Sequence, residues 1–283
     1  MKIHNHNKHT NTLLTNQHIK EFDKKSLRAT EMRLSQLICN ERVDHSVIAY
    51  WESKPEVTTA LQKIVNLAGA MLERRLGYSF SMIDSTKFSD WFNDETEFHI
   101  VNRIVDGVVY PSGMSFLKDT VAAPTGEATP KGQGKFYGDA WYDDNDTIGV
   151  IFTKGYEAII CPNKNRWRGY WRKKARKLYQ LRENRLGYRQ RGRGESPFGS
   201  LTNAFGKRFK VLDKQVMKTR IVARVIVYQI KLLMRLNIVL MIIIRHALKL
   251  AKGKLKDKPK YNSKFSNKIY DNHQKIIMLL VKY

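Results

Sequence analysis

Phe98-His99-Ile100-Val101-Asn102-Arg103-Ile104-Val105-Asp106-Gly107-Val108-Val109-Tyr110 is the stretch that decides the fold class. Two runs rich in β-branched and aromatic residues flank an Asp-Gly pair, a strong short-range signal of a β-hairpin. Just upstream, Tyr78-Ser79-Phe80-Ser81-Met82-Ile83-Asp84 alternates apolar and polar residues and reads as a strand ending on a carboxylate. Downstream, residues 124–134 are rich in Pro, Gly and Thr and read as a loop. Lys135 to Gly138 then form a short strand that ends at Asp139, and Asp143-Asp144 can cap a helix over 144–154. Tyr156-Glu157-Ala158-Ile159-Ile160-Cys161 reads as a further strand, stopped by Pro162. Strands interleaved with helices place the chain in the α/β class.

Helical patterns flank this centre. Residues 1–20 are polar, with His4, His6, His9 and His18 among Asn, Thr and Lys, and read as a disordered tail. Residues 21–78 read as a helical region. After Pro55, Val57, Leu61, Ile64, Val65, Leu67, Ala68, Met71 and Leu72 recur with a period near 3.6. That stripe suits a core face, and binding to DNA ends is a second reading of the region. Pro197 fits a helix first turn. Residues 216–250 read as one or two buried helices, closing a domain over 79–250, and 251–283 as a Lys-rich basic tail.

With 283 residues, the chain has room for one large domain or two small ones, and a 42% hydrophobic share is enough for a core. Lys and Arg number 51 against 26 Asp and Glu, a net charge of +25 that points to a polyanionic partner. The charge is divided unevenly. Residues 163–195 hold 13 basic residues and 2 acids, whereas residues 80–146 hold 5 basic residues and 12 acids. A carboxylate-rich segment followed by a basic one suits a metal site beside a phosphate track. The two cysteines, Cys39 and Cys161, have no metal-ligand spacing and imply a reducing compartment. The longest apolar run, Ile238 to Ile244, is seven residues, far short of the roughly 20 of a membrane-spanning helix. The expectation is a cytoplasmic protein with no membrane partner.

Three isolated carboxylates carry the candidate chemistry. Asp84 and Asp139 stand at predicted strand ends, and Glu195 follows the basic run Tyr188-Arg189-Gln190-Arg191-Gly192-Arg193-Gly194. Asp84 lies 55 positions before Asp139, which lies 56 before Glu195. Hard oxygen ligands hold divalent ions, and surrounding cations hold phosphates. Asp143, Asp144 and Asp146 compete with Asp139 as the second ligand. Arg166, Arg168, Arg172, Lys173 and Lys174 form the candidate phosphate surface, interleaved with Trp167, Tyr170, Trp171 and Tyr179, which suit base stacking or a helix core face.

Tyr188-x2-Arg191-x3-Glu195 resembles the tyrosine–arginine–glutamate signature of the DDE transposases of prokaryotic insertion sequences. Asp84 in Ile83-Asp84-Ser85-Thr86 resembles that family's first catalytic aspartate, and Asp139-x2-Tyr142-Asp143 resembles the second. The resemblance spans roughly residues 78–245. It implies an RNase H-like mixed sheet flanked by helices, with Asp84, Asp139 and Glu195 binding two Mg²⁺ or Mn²⁺ ions. It further implies cleavage at the ends of a mobile element, then attack of the freed 3′-hydroxyl on target DNA. Double-stranded DNA would be the partner, a homo-oligomer on DNA the acting form, and the prokaryotic nucleoid its place. Tyr188 and Arg191 would contact phosphate near the cut, though Tyr188 also suits a core-edge aromatic. Two departures stand out. Thr202 occupies the position, seven residues after the glutamate, where the family commonly has lysine, and the nearest lysine is Lys207. The interval from Asp139 to Glu195 leaves no room for the large β-domain inserted in some relatives. A decayed, non-catalytic DNA-binding relative and an RNase H-like nuclease or resolvase without end specificity are the alternatives.

Overall fold

A computed structural model describes residues 44–236. The expected tail at 1–20, the helical reading of 21–43, the helix pattern beyond 236 and the basic tail at 251–283 lie outside the described residues.

The hairpin read from Asp106-Gly107 is present. β2 (Glu95–Val105) and β3 (Val108–Phe116) pair antiparallel, with Asp106 at φ 47° and Gly107 at φ 80°. Two consecutive left-handed residues are what a tight turn matched to strand twist requires. β1 (Phe80–Ser89) pairs antiparallel with β2 along its whole length, from Phe80 opposite Ile104 to Ser89 opposite Glu95. On its other edge β1 runs parallel to β4 (Lys135–Gly138), but only over Phe80–Met82 against Lys135–Tyr137. β5 (Glu157–Ile160) runs parallel to β4 and completes a five-stranded sheet of order β3-β2-β1-β4-β5. This mixed sheet flanked by helices is the RNase H-like architecture.

Two expectations need correction. β1 does not end at Asp84; it continues five residues to Ser89, because β2 still pairs with it after β4 has left. Residues 124–134 are not all loop, since α3 (Ala122–Ala128) opens the segment. Its Pro124, Thr125 and Ala128 are buried, so packing holds a turn that composition alone disfavours.

Helices cover both faces of the sheet. Ile100 and Val101, neighbours on β2, point to opposite sides and enter different clusters. Ile100 joins Leu61 and Val65 of α2 (Pro55–Leu76), Phe198 and Leu201 of α7 (Ser196–Phe205), and Ile221 and Val225 of α8 (Lys214–Arg235). Val101 joins Ile83, Phe136 and Ile160 against Ile148 and Ile151 of α4 (Asn145–Thr153) and Ala175 of α5 (Tyr170–Gln180). Asp144 caps α4 as its sequence suggests, accepting from the backbone N–H groups of Asp146 and Thr147. The short helix α6 (Arg182–Tyr188) and a 3-10 turn at Arg189–Glu195 link α5 to α7.

The boundary expected at 78/79 does not divide two bodies. Most of the apolar stripe of α2 is core, with Leu61 and Val65 shared with the sheet and α8, but Leu67 and Met71 of the stripe are exposed. Thr58 and Thr219 hydroxyls lie 2.7 Å apart, and Gln229 Nε2 donates to Val65 O at 2.9 Å. Ahead of α2, Glu52 on α1 (His45–Glu52) takes two hydrogen bonds from Arg220, at 3.0 and 2.7 Å.

Candidate functional site

The site grows from the place where β4 leaves β1. The parallel register between them is offset by 55 residues, with Phe80 opposite Lys135 and Met82 opposite Tyr137. Carried two residues further, that offset sets Asp84 opposite Asp139. Asp139 then turns the chain: its Oδ1 accepts from Trp141 N at 2.9 Å and caps the 3-10 turn Ala140–Tyr142. Glu195 arrives from the other end of the domain, closing the 3-10 turn Arg189–Glu195 and opening α7.

Arg191 stands where the three meet. Its Nη1 lies 3.9 Å from Asp84 Oδ1 and 3.4 Å from Asp139 Oδ2, and its Nη2 lies 3.9 Å from Glu195 Oε1. The turn carrying Arg191 is pinned to the sheet by two contacts. Asn102 of β2, fully buried, donates from Nδ2 to Gly194 O at 3.0 Å. Gly194 itself lies on Met82, so a Cβ at this position would collide with the Met82 sulfur. Met82 and Asp84 share one face of β1 by the two-residue period of a strand, so the contact also sets the height of Glu195 above the sheet.

Burial grades across the site. The Asp84 side chain is 14% exposed, Asp139 35% and Glu195 63%. Burial pushes the Asp84 carboxyl above its usual range. The Ser85 N–H and Arg191 oppose that rise, and the charges of Asp139 and Glu195 add to it. Burial works against the charge on Arg191, but Asp84 first, then Tyr188, Asp139 and Glu195, carry its pKa higher still. Beneath the carboxylates, the buried Tyr142 hydroxyl lies 2.8 Å from His99 Nδ1. Burial holds the His99 pKa down at about 4, so the imidazole is neutral at physiological pH.

Three carboxylates form a hard oxygen donor set of the kind that suits Mg²⁺ or Mn²⁺. Among the described residues no three His, Cys, Asp or Glu side chains are drawn together tightly enough to hold one ion. The Arg191 guanidinium lies within 3.4–3.9 Å of an oxygen of each of the three. The donor chemistry fits a divalent ion.

A family model described as "Transposase DDE domain" matches residues 118–230. Residues 118–230 are similar to a transposase DDE domain. The match takes in Asp139, Arg191 and Glu195 and begins after β3, leaving Asp84 upstream of it. No curated protein and no solved structure matches the chain.

The basic stretch within the matched residues divides once its side chains are placed. Arg166, Arg168, Lys173 and Lys174 are exposed. Arg172 is not, and its expected place on a phosphate surface needs correction. It is 9% exposed, its Nε donates to Asp143 Oδ1 at 3.0 Å, and its Nη2 donates to Asp143 O at 2.8 Å. Asp143 is thereby occupied as well, and Asp144, like Asp139, caps a helical turn. Tyr188 is half-buried and packs edge-on against Tyr137 and Tyr179 at 6.4 and 5.3 Å. Its ring is a core-edge aromatic that supports the turn carrying Arg191. Thr202, at the position of the family's usual lysine, donates its hydroxyl to Phe198 O at 2.7 Å within α7. Lys207, the nearest lysine, is exposed, and its backbone carbonyl accepts from Ser89 N, five residues along β1 from Asp84.

Sequence reasoning missed Asn102, Gly194, Met82 and His99. Asn102 carried a signal, as the one amide in the strand-forming run Ile100-Val101-Asn102-Arg103-Ile104. Gly194 was masked by Gly192, which meets no such obstruction. Among the described residues no helix is long and apolar enough to cross a membrane.

Proposed function

We propose that this chain is an insertion-sequence transposase that cuts DNA at the element's ends and transfers the freed strand, using Asp84, Asp139 and Glu195 as ligands of two Mg²⁺ or Mn²⁺ ions. The observation that supports this most is the meeting of the three carboxylates on Arg191 from segments about 55 residues apart. Ions bound there would supply Lewis acidity to the phosphate and acidify the attacking water. Asp84, the most enclosed of the three, offers a fixed oxygen from the central strand. Asp139 accepts from Trp141 N at Oδ1, which would orient its second oxygen. Glu195, the most exposed, sits on the solvent side where DNA would enter. Arg191 presents a planar fork suited to two phosphate oxygens, and Arg166, Arg168, Lys173 and Lys174 would hold the flanking backbone. Two copies of the chain on DNA would bring two ends together.

The test is cleavage and strand transfer on duplexes carrying the termini that flank the gene. Cutting should require Mg²⁺ or Mn²⁺ and fall by at least about a thousandfold in Asp84→Asn, Asp139→Asn and Glu195→Gln, with DNA binding retained. Activity that survives EDTA or all three substitutions would refute the reading. Cleavage indifferent to the termini would make the chain an RNase H-like nuclease instead. Binding without any cleavage would make it a non-catalytic relative, the outcome the backbone-bonded Thr202 favours.

A further inference from the structure

We propose that Arg191 is a resident countercation: its guanidinium holds the three carboxylates together before ions enter, and it gives up that place on loading, turning its fork toward phosphate. The inference rests on the metal-binding role proposed above for Asp84, Asp139 and Glu195.

The geometry supports a provisional contact. Charge-assisted hydrogen bonds between guanidinium and carboxylate run at about 2.7–2.9 Å. The three contacts of Arg191 are 3.4, 3.9 and 3.9 Å, and its buried Nη1 makes no hydrogen bond among the described residues. The cation therefore neutralises the site without being bonded into it. Arg172 shows the opposite pattern, with Nε and both Nη nitrogens hydrogen-bonded at 2.6–3.0 Å to Asp143 and to Arg168 O. One arginine of this domain is fixed, and the other is held only by field.

Three carboxylates this close repel one another, and a +1 charge among them lowers that cost at every stage before loading. The same charge opposes an incoming divalent ion. Arg191 thus weakens metal binding in the free protein, and metal and phosphate binding become coupled, because a phosphate that draws the guanidinium away frees the oxygens.

The experiment titrates the full-length chain with Mn²⁺ alone, without DNA, following free Mn²⁺ by electron paramagnetic resonance. Arg191→Gln is expected to bind Mn²⁺ about tenfold more tightly than the unaltered protein, while Asp139→Asn and Glu195→Gln bind more weakly. Equal or weaker binding by Arg191→Gln, with the acid variants still impaired, would overturn the countercation and leave the functional reading standing. Binding indifferent to the acid variants would overturn the functional reading, and the countercation with it. Melting curves cover the risk of a folding defect. Arg191→Gln should melt lower than the unaltered chain in EDTA and regain more of its stability on adding Mn²⁺. A variant that is unfolded with and without Mn²⁺ would make Arg191 a fixed structural residue and refute the proposal.

Discussion

Arg172→Ala should cost fold stability, not DNA affinity. The side chain is 9% exposed and its partner Asp143 is 2% exposed. Asp143 accepts from Arg172 Nε through Oδ1 at 3.0 Å and from Asn163 N through Oδ2 at 2.7 Å. Truncating Arg172 leaves the Asp143 carboxylate with that single backbone donor, takes from Arg168 O its guanidinium donor, and leaves Asp143 O with only the Arg166 Nη1 contact at 3.4 Å. Removing one partner of a buried ion pair costs about 3–5 kcal/mol. For a folded body of this size each kcal/mol lowers the melting midpoint by about 2–4 °C, so the variant should melt roughly 6–20 °C lower. Thermal unfolding followed by circular dichroism reads this directly, with the exposed neighbour Lys173→Ala as a control that should move little. In the double variant Asp143→Asn, Arg172→Met, part of the loss should return, because no buried charge is left unpaired. The reasoning fails if Arg172→Ala melts within about 2 °C of the unaltered chain and instead flattens the salt dependence of DNA binding, since that result puts the guanidinium on DNA.

The remaining expectations concern the site and its surroundings. Asp84→Asn should raise the melting midpoint at pH 7 even as it removes cleavage: burial raises the folded carboxyl above its usual 3.8, so ionisation costs stability as pH climbs past that value. The gap between variant and parent should close as pH falls through 3.8, and a variant less stable than its parent at pH 7 would contradict the sign. Gly194→Ala should slow single-turnover cleavage by about a hundredfold, because a shift of the Arg191–Glu195 turn by about 1 Å misplaces both groups. Met82→Ala in the same chain should restore part of the rate by opening the space the new methyl needs, and a full rate in Gly194→Ala alone would dismiss the contact. Neutralising Arg166, Arg168, Lys173 and Lys174 together should reduce the slope of log affinity against log salt by about 3–4, and an unchanged slope would turn that face away from DNA.

Local signals in the sequence translated well into structure. Asp106-Gly107 made the hairpin and Asp144 capped its helix, because both depend only on residues within a few positions. The interval of 55 residues between Asp84 and Asp139 equals the offset of β1 against β4, whereas Glu195 lies on a 3-10 turn and belongs to no strand register. What stayed hidden was decided at long range. Asp84 looked like a strand end, yet β2 pairs five residues beyond it while β4 does not. Arg172 looked like one more cation in a basic run, since its buried partner lies 29 residues away. Asn102, 92 residues from Gly194, offered only a stray amide in an apolar strand.

The partnership of α2 with α8 bears on how the nascent chain comes to its final form. β1, β2 and β3 follow one another directly and can pair as soon as residue 116 is synthesised. α2 is made earlier still, but Thr58 waits 161 residues for Thr219, and the Val65 carbonyl waits 164 for Gln229. Contacts of such separation form late and slow folding. During translation the sheet therefore exists before its cover, and Leu61 and Val65 stay without their α8 partners until Ile221 and Val225 arrive. A fragment cut to residues 118–230 would lack α2 and three of the five strands, the central one included. It should aggregate when expressed alone, even though it contains Asp139, Arg191 and Glu195. The surface that carries the three carboxylates is in this sense a late product of synthesis, completed only when α8 closes over α2.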